Sequence, residues 1–472
     1  MYRSLIAGKL VSGGAVSPVV NPVDESIAAE VSFVDRAQID TAVETAKLAW
    51  PAWRNAAPEA RTAVLKAISK AIRDNFEELA GLLILETGRP VAIAQFEVDL
   101  ACRYLEYYAG VRLEPEILVE EEGRRVELHR KPLGVVAAIV PWNAPLYLAA
   151  NKIGPALAAG NCVIVKPAPT TPLTSLRLGE LIADIIPPGV VAIVATDNEG
   201  AAHLVAHPDI VKVAFTGSTQ TGKAIMGAVS PQLKRLTLEL GGNDAAIVLP
   251  DADVAVIAPA LFGLAFFNSG QVCAVIKRLY VHDSLYDDVC DAIGEMARAT
   301  PVGDGADPAV QFGPVQNRIQ YDKVLTYLDC ARSEGKIIAG GEPIDGPGYF
   351  IPLTVVRDVS DGDAIVDEEP FGPILPIIRY SDIDDVLARA NASPFGLGAS
   401  IWSSDTAQAA ELATRLESGT VWVNQHCALD PAVPFPAHKE SGLGVEGGIE
   451  GLHAYTALQV INIALPIPGA AA

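Results

Sequence analysis

Residues 134–167 read GVVAAIVPWNAPLYLAANKIGPALAAGNCVIVKP. The run at 135–140 is apolar, β-branched and strand-sized, PLYLAANKIGPALAAG is long enough for a helix, and NCVIVK is a second strand. Continuous apolar strands joined by a helix are the unit of a buried parallel sheet. The pattern recurs at VVAIV (190–194) and VKVAF (211–215), with PLTSLRLGELIADII and a short helical segment at 201–205 between. This alternation predicts an α/β fold with a doubly wound parallel sheet.

Upstream, residues 36–109 keep helical spacing: Ile39, Val43, Ala46 and Trp50, then Val64, Ile68, Ile72, Phe76 and Leu79. A charged segment at 120–130 alternates through Val126 and Leu128 and predicts a strand outside the main sheet. Downstream, LTLELGG (236–242) closes the first pattern and AAIVL (245–249) opens a second α/β one. The tail LQVINIAL (458–465) reads as a further strand. A chain of 472 residues exceeds one hydrophobic core. The expected division is 1–114 with 132–240, then 241–455, then a small β flap of 115–131 with 456–472.

The chain carries 57 acidic against 35 basic residues, a formal charge of -22. Such a surface repels phosphate backbones and anionic lipid, which argues against nucleic-acid and membrane partners. No apolar run reaches bilayer length, and the N-terminus lacks a secretory pattern. Six cysteines occur with no C-x-x-C pair. Reduced thiols and a cytoplasmic location are therefore expected.

In open parallel sheets, ligands bind beyond the C-terminal ends of the strands. PWN (141–143), KP (166–167), TGS (216–218) and ELGG (239–242) all fall at such ends. Cys273, in FNSGQVCAV, reads as a small core residue or, beside Gly270 and Gln271, as a thiol at a loop. As a nucleophile it would gain from a neighbour that lowers its pKa. Glu239 reads as an edge residue or as a desolvated acid whose raised pKa suits a general base. Asn143 is a turn cap or an oxyanion donor. Lys166 is a solvated lysine or a ribose contact, and Gly217 to Gly222 suits backbone approach to a phosphate. His203 and His207 lack a third ligand, so no metal site is expected.

Seven segments together resemble the aldehyde dehydrogenase superfamily, in its order and over nearly the whole chain. They are PWN, KP, FTGS, LELGG, GQ-x-C, EEPFGP (368–373) and SGLG (441–444), with 34 positions from Glu239 to Cys273. The resemblance implies an oxidoreductase that converts an aldehyde to a carboxylic acid with NAD, NADP being left open. It implies Cys273 as nucleophile, Asn143 and the Cys273 N–H as oxyanion hole, and Glu239 as base for the deacylating water. It implies Lys152 and Glu446 as a proton relay. Val140, Pro141, Trp142, Lys166, Gly217, Ser218, Gly242, Glu369 and Phe371 would meet the cofactor. It also implies a homodimer or homotetramer joined through the flap.

Three departures from the family pattern stand out. Ala168 and Pro169 follow KP (166–167) where many NAD-preferring members carry a glutamate. PFPAHK (434–439) replaces PFGG-x-K. Ala144 and Asn151 replace aromatic residues, which predicts a roomier or more polar aldehyde tunnel. Three rival readings are a CoA-acylating semialdehyde dehydrogenase, which typically lacks the base that Glu239 supplies, a catalytically silent binding protein on the same fold, and a cysteine hydrolase, which needs a histidine partner for Cys273 that no nearby sequence feature nominates.

Overall fold

Four helices fill residues 36–110 of the computed structural model, which describes residues 2–466. They are α1 (Arg36–Arg54), α2 (Pro58–Asp74), α3 (Phe76–Thr87) and α4 (Val91–Gly110). Asp35 and Gln38 close a reciprocal capping box at the start of α1. Gly88, at φ +69°, ends α3 in the left-handed conformation that glycine adopts without penalty.

The quoted stretch forms the centre of the first sheet. Val135–Ile139, Cys162–Lys166 and Val191–Ile193 run parallel in that order to one side. Ile210–Thr216 and Arg235–Glu239 run parallel to the other. The connecting helices are α5 (Pro145–Ala159), α6 (Leu173–Ile182) and α7 (Asn198–Ala206). Val135–Ile139, Cys162–Lys166 and Val191–Ile193 are buried throughout, as their unbroken apolar runs require. Because strand order reverses between Val135–Ile139 and Ile210–Thr216, a crevice opens where Val140–Asn143 and Gly217–Ser218 follow them.

Helix α8 (Thr219–Val229) leads to the last parallel strand. The chain then enters a second sheet centred on Asp244–Val248, flanked by Ile276–His282 and Gly398–Trp402. Helices α9 (Val254–Phe266), α10 (Tyr286–Ala299) and α11 (Arg318–Glu334) lie along its connections. A third sheet joins Glu116–Glu121, Arg124–Pro132 and Thr456–Ala464, so the charged segment and the tail strand pair with each other outside both main sheets. Residues 467–472 of the expected flap lie outside the described residues.

Four N-terminal strands were not predicted. Ser4–Ile6 and Lys9–Val11 extend the first sheet antiparallel, and Ala15–Val20 pairs with Ile27–Phe33 as a hairpin. The first two are three residues long, too short for any periodicity to register. Gly442–Leu443, from SGLG, also returns to the first sheet beside Leu238 and Glu239. Among the described residues no helix is long and apolar enough to cross a membrane.

Candidate active site

The C-terminal edge of the first sheet faces the N-terminal edge of the second. Asn143, Thr216 and Glu239 come from the former. Cys273 precedes Ile276–His282, and Phe371 precedes Ile374–Tyr380. Between them lies a cavity of 360 Å³ lined by all five. Ser218 and Lys323 edge it on one side, and the exposed Phe96 on another.

The loop that presents Cys273 is built from backbone few residues adopt. Asn268, Ser269 and Gly270 have φ of +51°, +56° and +74°. Left-handed backbone is costly for serine and is held only where its surroundings dictate it. The Gln271 side chain supplies part of that restraint: Nε2 donates to the Asn268 and Pro314 carbonyls, and Oε1 accepts from the Gln316 N–H. A Cβ on Gly270 would fall 2.2 Å from the Gly372 carbonyl oxygen, so GQ-x-C and EEPFGP meet only through glycine. Burial pushes the Cys273 thiol well above its ordinary value; Lys277 opposes the shift, while Cys427, Glu369 and Asp244 add to it. No neighbouring cation outweighs the desolvation.

Asn143 is fixed at both ends. Its side-chain Nδ2 donates to the Gln271 carbonyl at 2.9 Å, and its own carbonyl accepts from Arg89 Nη2 at 2.5 Å. Arg89 is buried in an ion pair with Glu97. Glu97 Oε1 in turn accepts from the Leu146 and Tyr147 N–H groups, which α5 leaves unpaired at its start. Arg89 and Glu97 went unnoticed in the sequence, since a charged pair eight residues apart on α3–α4 looks like solvated surface.

Glu239 ends its strand between Thr216 and Gly442. It is 5% exposed, and neither carboxylate oxygen has a protein hydrogen-bond partner. Burial pushes its pKa well above the carboxylate range; Glu446 adds to the shift and Lys152 opposes it. Lys152 is fully buried behind the cavity wall, donating to Thr216 Oγ1 at 2.7 Å and to Glu446 Oε1 at 2.5 Å. Asn151 Nδ2 holds the other Glu446 oxygen at 2.7 Å.

Pro141, Trp142, Gly217, Ser218, Glu369 and Phe371 line the cavity, whereas Val140, Lys166 and Gly242 stand outside its lining. Val140 donates its N–H to the Lys166 carbonyl. The Lys166 ammonium is pulled down to about 8 by burial, against the pull of Asp197. The Gly242 N–H donates to Glu369 Oε1 at 3.2 Å. Lys277, also missed from the sequence, reaches that same oxygen at 3.0 Å and the Cys273 carbonyl at 2.5 Å. These residues fit a dinucleotide. Gly217 leaves open a space closed to any Cβ by the Phe215 ring 2.5 Å away. Ser218 caps the exposed start of α8, whose N–H groups suit a pyrophosphate. Trp142 and Phe371, edge to face at 5.4 Å, wall the crevice with aromatic surface.

Of the roomier or more polar tunnel expected, the wall towards α4 corrects the polar alternative. It is formed by Ile93, Phe96, Leu100, Leu264, Phe267 and Leu429, joined by Tyr104 and Tyr147 with rings 5.0 Å apart. Ala144 and Asn151 do line the cavity, but aromatic side chains from the same helix face and from α4 fill in beside them. From PFPAHK, Phe435 adds another apolar face. Among the described residues no histidine lines the cavity. His426, beside Cys427, is buried against Ser400 and Asp244 instead. His203 and His207 both face Asp40, at 2.6 and 3.6 Å.

A profile of the aldehyde dehydrogenase family matches residues 11–461. An aldehyde dehydrogenase of Fusarium sp is 39% identical over 98% of this chain and 98% of its own. The phenylacetaldehyde dehydrogenase of Pseudomonas fluorescens is 38% identical, covering 98% of this chain and 96% of its own. Among solved structures, the NAD+ complex of an aldehyde dehydrogenase from Bacillus cereus superposes with a TM-score of 0.96 at 34% identity, over 98% and 97% of the two chains.

Proposed function

This chain belongs to the aldehyde dehydrogenase family and is an NAD(P)-dependent aldehyde dehydrogenase, and on that premise we propose that Cys273, Asn143 and Glu239 carry its chemistry. The observation that carries the assignment is Glu239: a buried carboxyl with both oxygens unpartnered, lining the same cavity as Cys273, whose loop the Asn143 amide holds through the Gln271 carbonyl. Buried polar groups are normally paired, and one left free in a cavity is available to a ligand or a water.

Cys273, once deprotonated, bonds the carbonyl carbon and turns the carbonyl oxygen into an alkoxide. One Asn143 N–H is committed to Gln271, which orients the amide so that its second N–H is free for that oxygen. The dinucleotide, NAD in this reading, supplies the acceptor for the hydride that leaves the tetrahedral carbon. The acyl group then remains on Cys273 as a thioester. Glu239 takes a proton from water, whose oxygen bonds the thioester carbon as the C–S bond breaks, releasing the acid and the Cys273 thiolate. Glu446, held by Lys152 and Asn151, would relay with Lys152 the protons that Glu239 collects.

Pro141, Trp142, Gly217, Ser218, Glu369 and Phe371 would hold the dinucleotide directly, with Val140, Lys166 and Gly242 supporting them from behind. The three sheets support the division into 1–114 with 132–240, 241–455, and a flap of 115–131 with 456–472. We assign the chain to the cytoplasm, as a homodimer or homotetramer acting on small-molecule aldehydes. Exposed Ile117, Leu118, Leu458 and Val460 on the flap favour assembly through that sheet. The test is initial-rate formation of reduced cofactor with a panel of aldehydes, for the parent and for Cys273→Ala. The assignment requires turnover in the parent and none in the variant, with cofactor affinity retained. Residual turnover in Cys273→Ala would refute it.

A further inference from the structure

We propose that the substrates are aldehydes with an uncharged, extended apolar tail, and that Phe96 at the cavity mouth reads the length of that tail. This rests on the reaction assigned above. Phe96, on α4, lines the cavity yet is 47% exposed to solvent, with Phe267 packed edge to face at 6.2 Å and 89°. A phenyl ring left half in water at the rim of an apolar passage offers binding surface to whatever passes it. Ile93 and Leu264 line the same wall, and Leu100 continues it inward.

The charged groups on this wall are already committed. The Arg89 guanidinium is shared between Glu97 and the Asn143 carbonyl. Glu97 uses its other oxygen on the Leu146 and Tyr147 N–H groups. A carboxylate or ammonium on the substrate tail would lose its water here and find no partner of opposite sign. An apolar tail gains with each buried methylene, and the side chains of Ile93, Phe96, Leu100 and Leu264 give it apolar surface to bury against.

The experiment is steady-state kinetics of the full chain with NAD+ on propanal, hexanal, octanal, 3-phenylpropanal, 4-oxobutanoate and 4-aminobutanal. Expected is a rise in kcat/KM of roughly threefold per methylene along the alkanals, with 3-phenylpropanal among the best and both charged aldehydes the worst. Phe96→Ala should lower the octanal-to-propanal ratio of kcat/KM at least fivefold through KM, whereas a general disturbance of the fold would lower both substrates alike. Phe96→Asp should raise 4-aminobutanal relative to octanal, a gain that a damaged enzyme does not produce. Preference for propanal or for either charged aldehyde, or an unchanged ratio in Phe96→Ala, overturns this inference alone. Failure of every aldehyde to react overturns the assigned reaction and this inference with it.

Discussion

The side-chain amide of Asn143 donates to the carbonyl oxygen of Gln271 at 2.9 Å, two residues before Cys273. The bond spans the crevice between the two main sheets, so the proposed oxyanion donor and the proposed nucleophile are registered to each other before any substrate arrives. Replacing Asn143 by Ala removes both the donor and the tether. Expected is a loss in kcat of about 10²- to 10³-fold with cofactor affinity retained. Fluorescence titration with the reduced dinucleotide checks the second half. A variant that turns over at the parental rate would sink the oxyanion role.

Glu239→Gln separates acylation from deacylation. The amide keeps the shape of the carboxyl but takes no proton from water. A rapid-mixing experiment should show one equivalent of reduced cofactor formed in a burst, followed by a slow steady state. The acyl-enzyme should then accumulate and be visible as a mass increment on Cys273. A variant with parental steady-state turnover would leave Glu239 without its role.

Much of this site was legible in the sequence because its parts lie at strand ends. PWN, TGS and ELGG were located from the apolar runs that precede them, and the structure brings them to one edge. What escaped was whatever depends on contact between segments. Lys277 looked like an ordinary lysine at the start of a strand, yet it joins Glu369 to the Cys273 backbone. Arg89 and Glu97 are charged residues in a helical stretch, and nothing in their spacing reveals that both are buried beneath Asn143. The polarity of the tunnel was misjudged for the same reason. Counting replacements at Ala144 and Asn151 omitted Phe96 and Phe267, which come from other helices.

Gly242, three residues after Glu239, packs against the Cys273 backbone. A Cβ there would lie 2.5 Å from the Cys273 carbonyl oxygen and 3.0 Å from Asp244 Oδ1. The first of these is backbone and cannot rotate away. Gly242→Ala should therefore displace the nucleophile's loop more than it unfolds the chain. A loss in kcat on the order of 10²-fold is expected from a shift of about 1 Å, with a thermal midpoint close to that of the parent. Normal kinetics in this variant would show that the loop absorbs the methyl group and that the approach carries no catalytic weight.

The pH dependence follows from two buried acids. Desolvation raises the Cys273 thiol and the Glu239 carboxyl, and in both the reactive form is the deprotonated one. A raised pKa makes that form scarce at neutral pH and increases it tenfold per pH unit until the pKa is reached. Alkylation of Cys273 by iodoacetamide in the free enzyme should thus keep accelerating past about pH 8.5, where an ordinary cysteine begins to level off. Lys277 is the one group named here that pulls the thiol down, so Lys277→Met should slow alkylation throughout the range. For Glu239, Glu446→Gln removes a charge that raises its pKa and leaves Lys152 unopposed. The acidic limb of the deacylation rate should accordingly move to lower pH. A thiol already fully reactive below about pH 7 would mean that an activating cation outweighs burial.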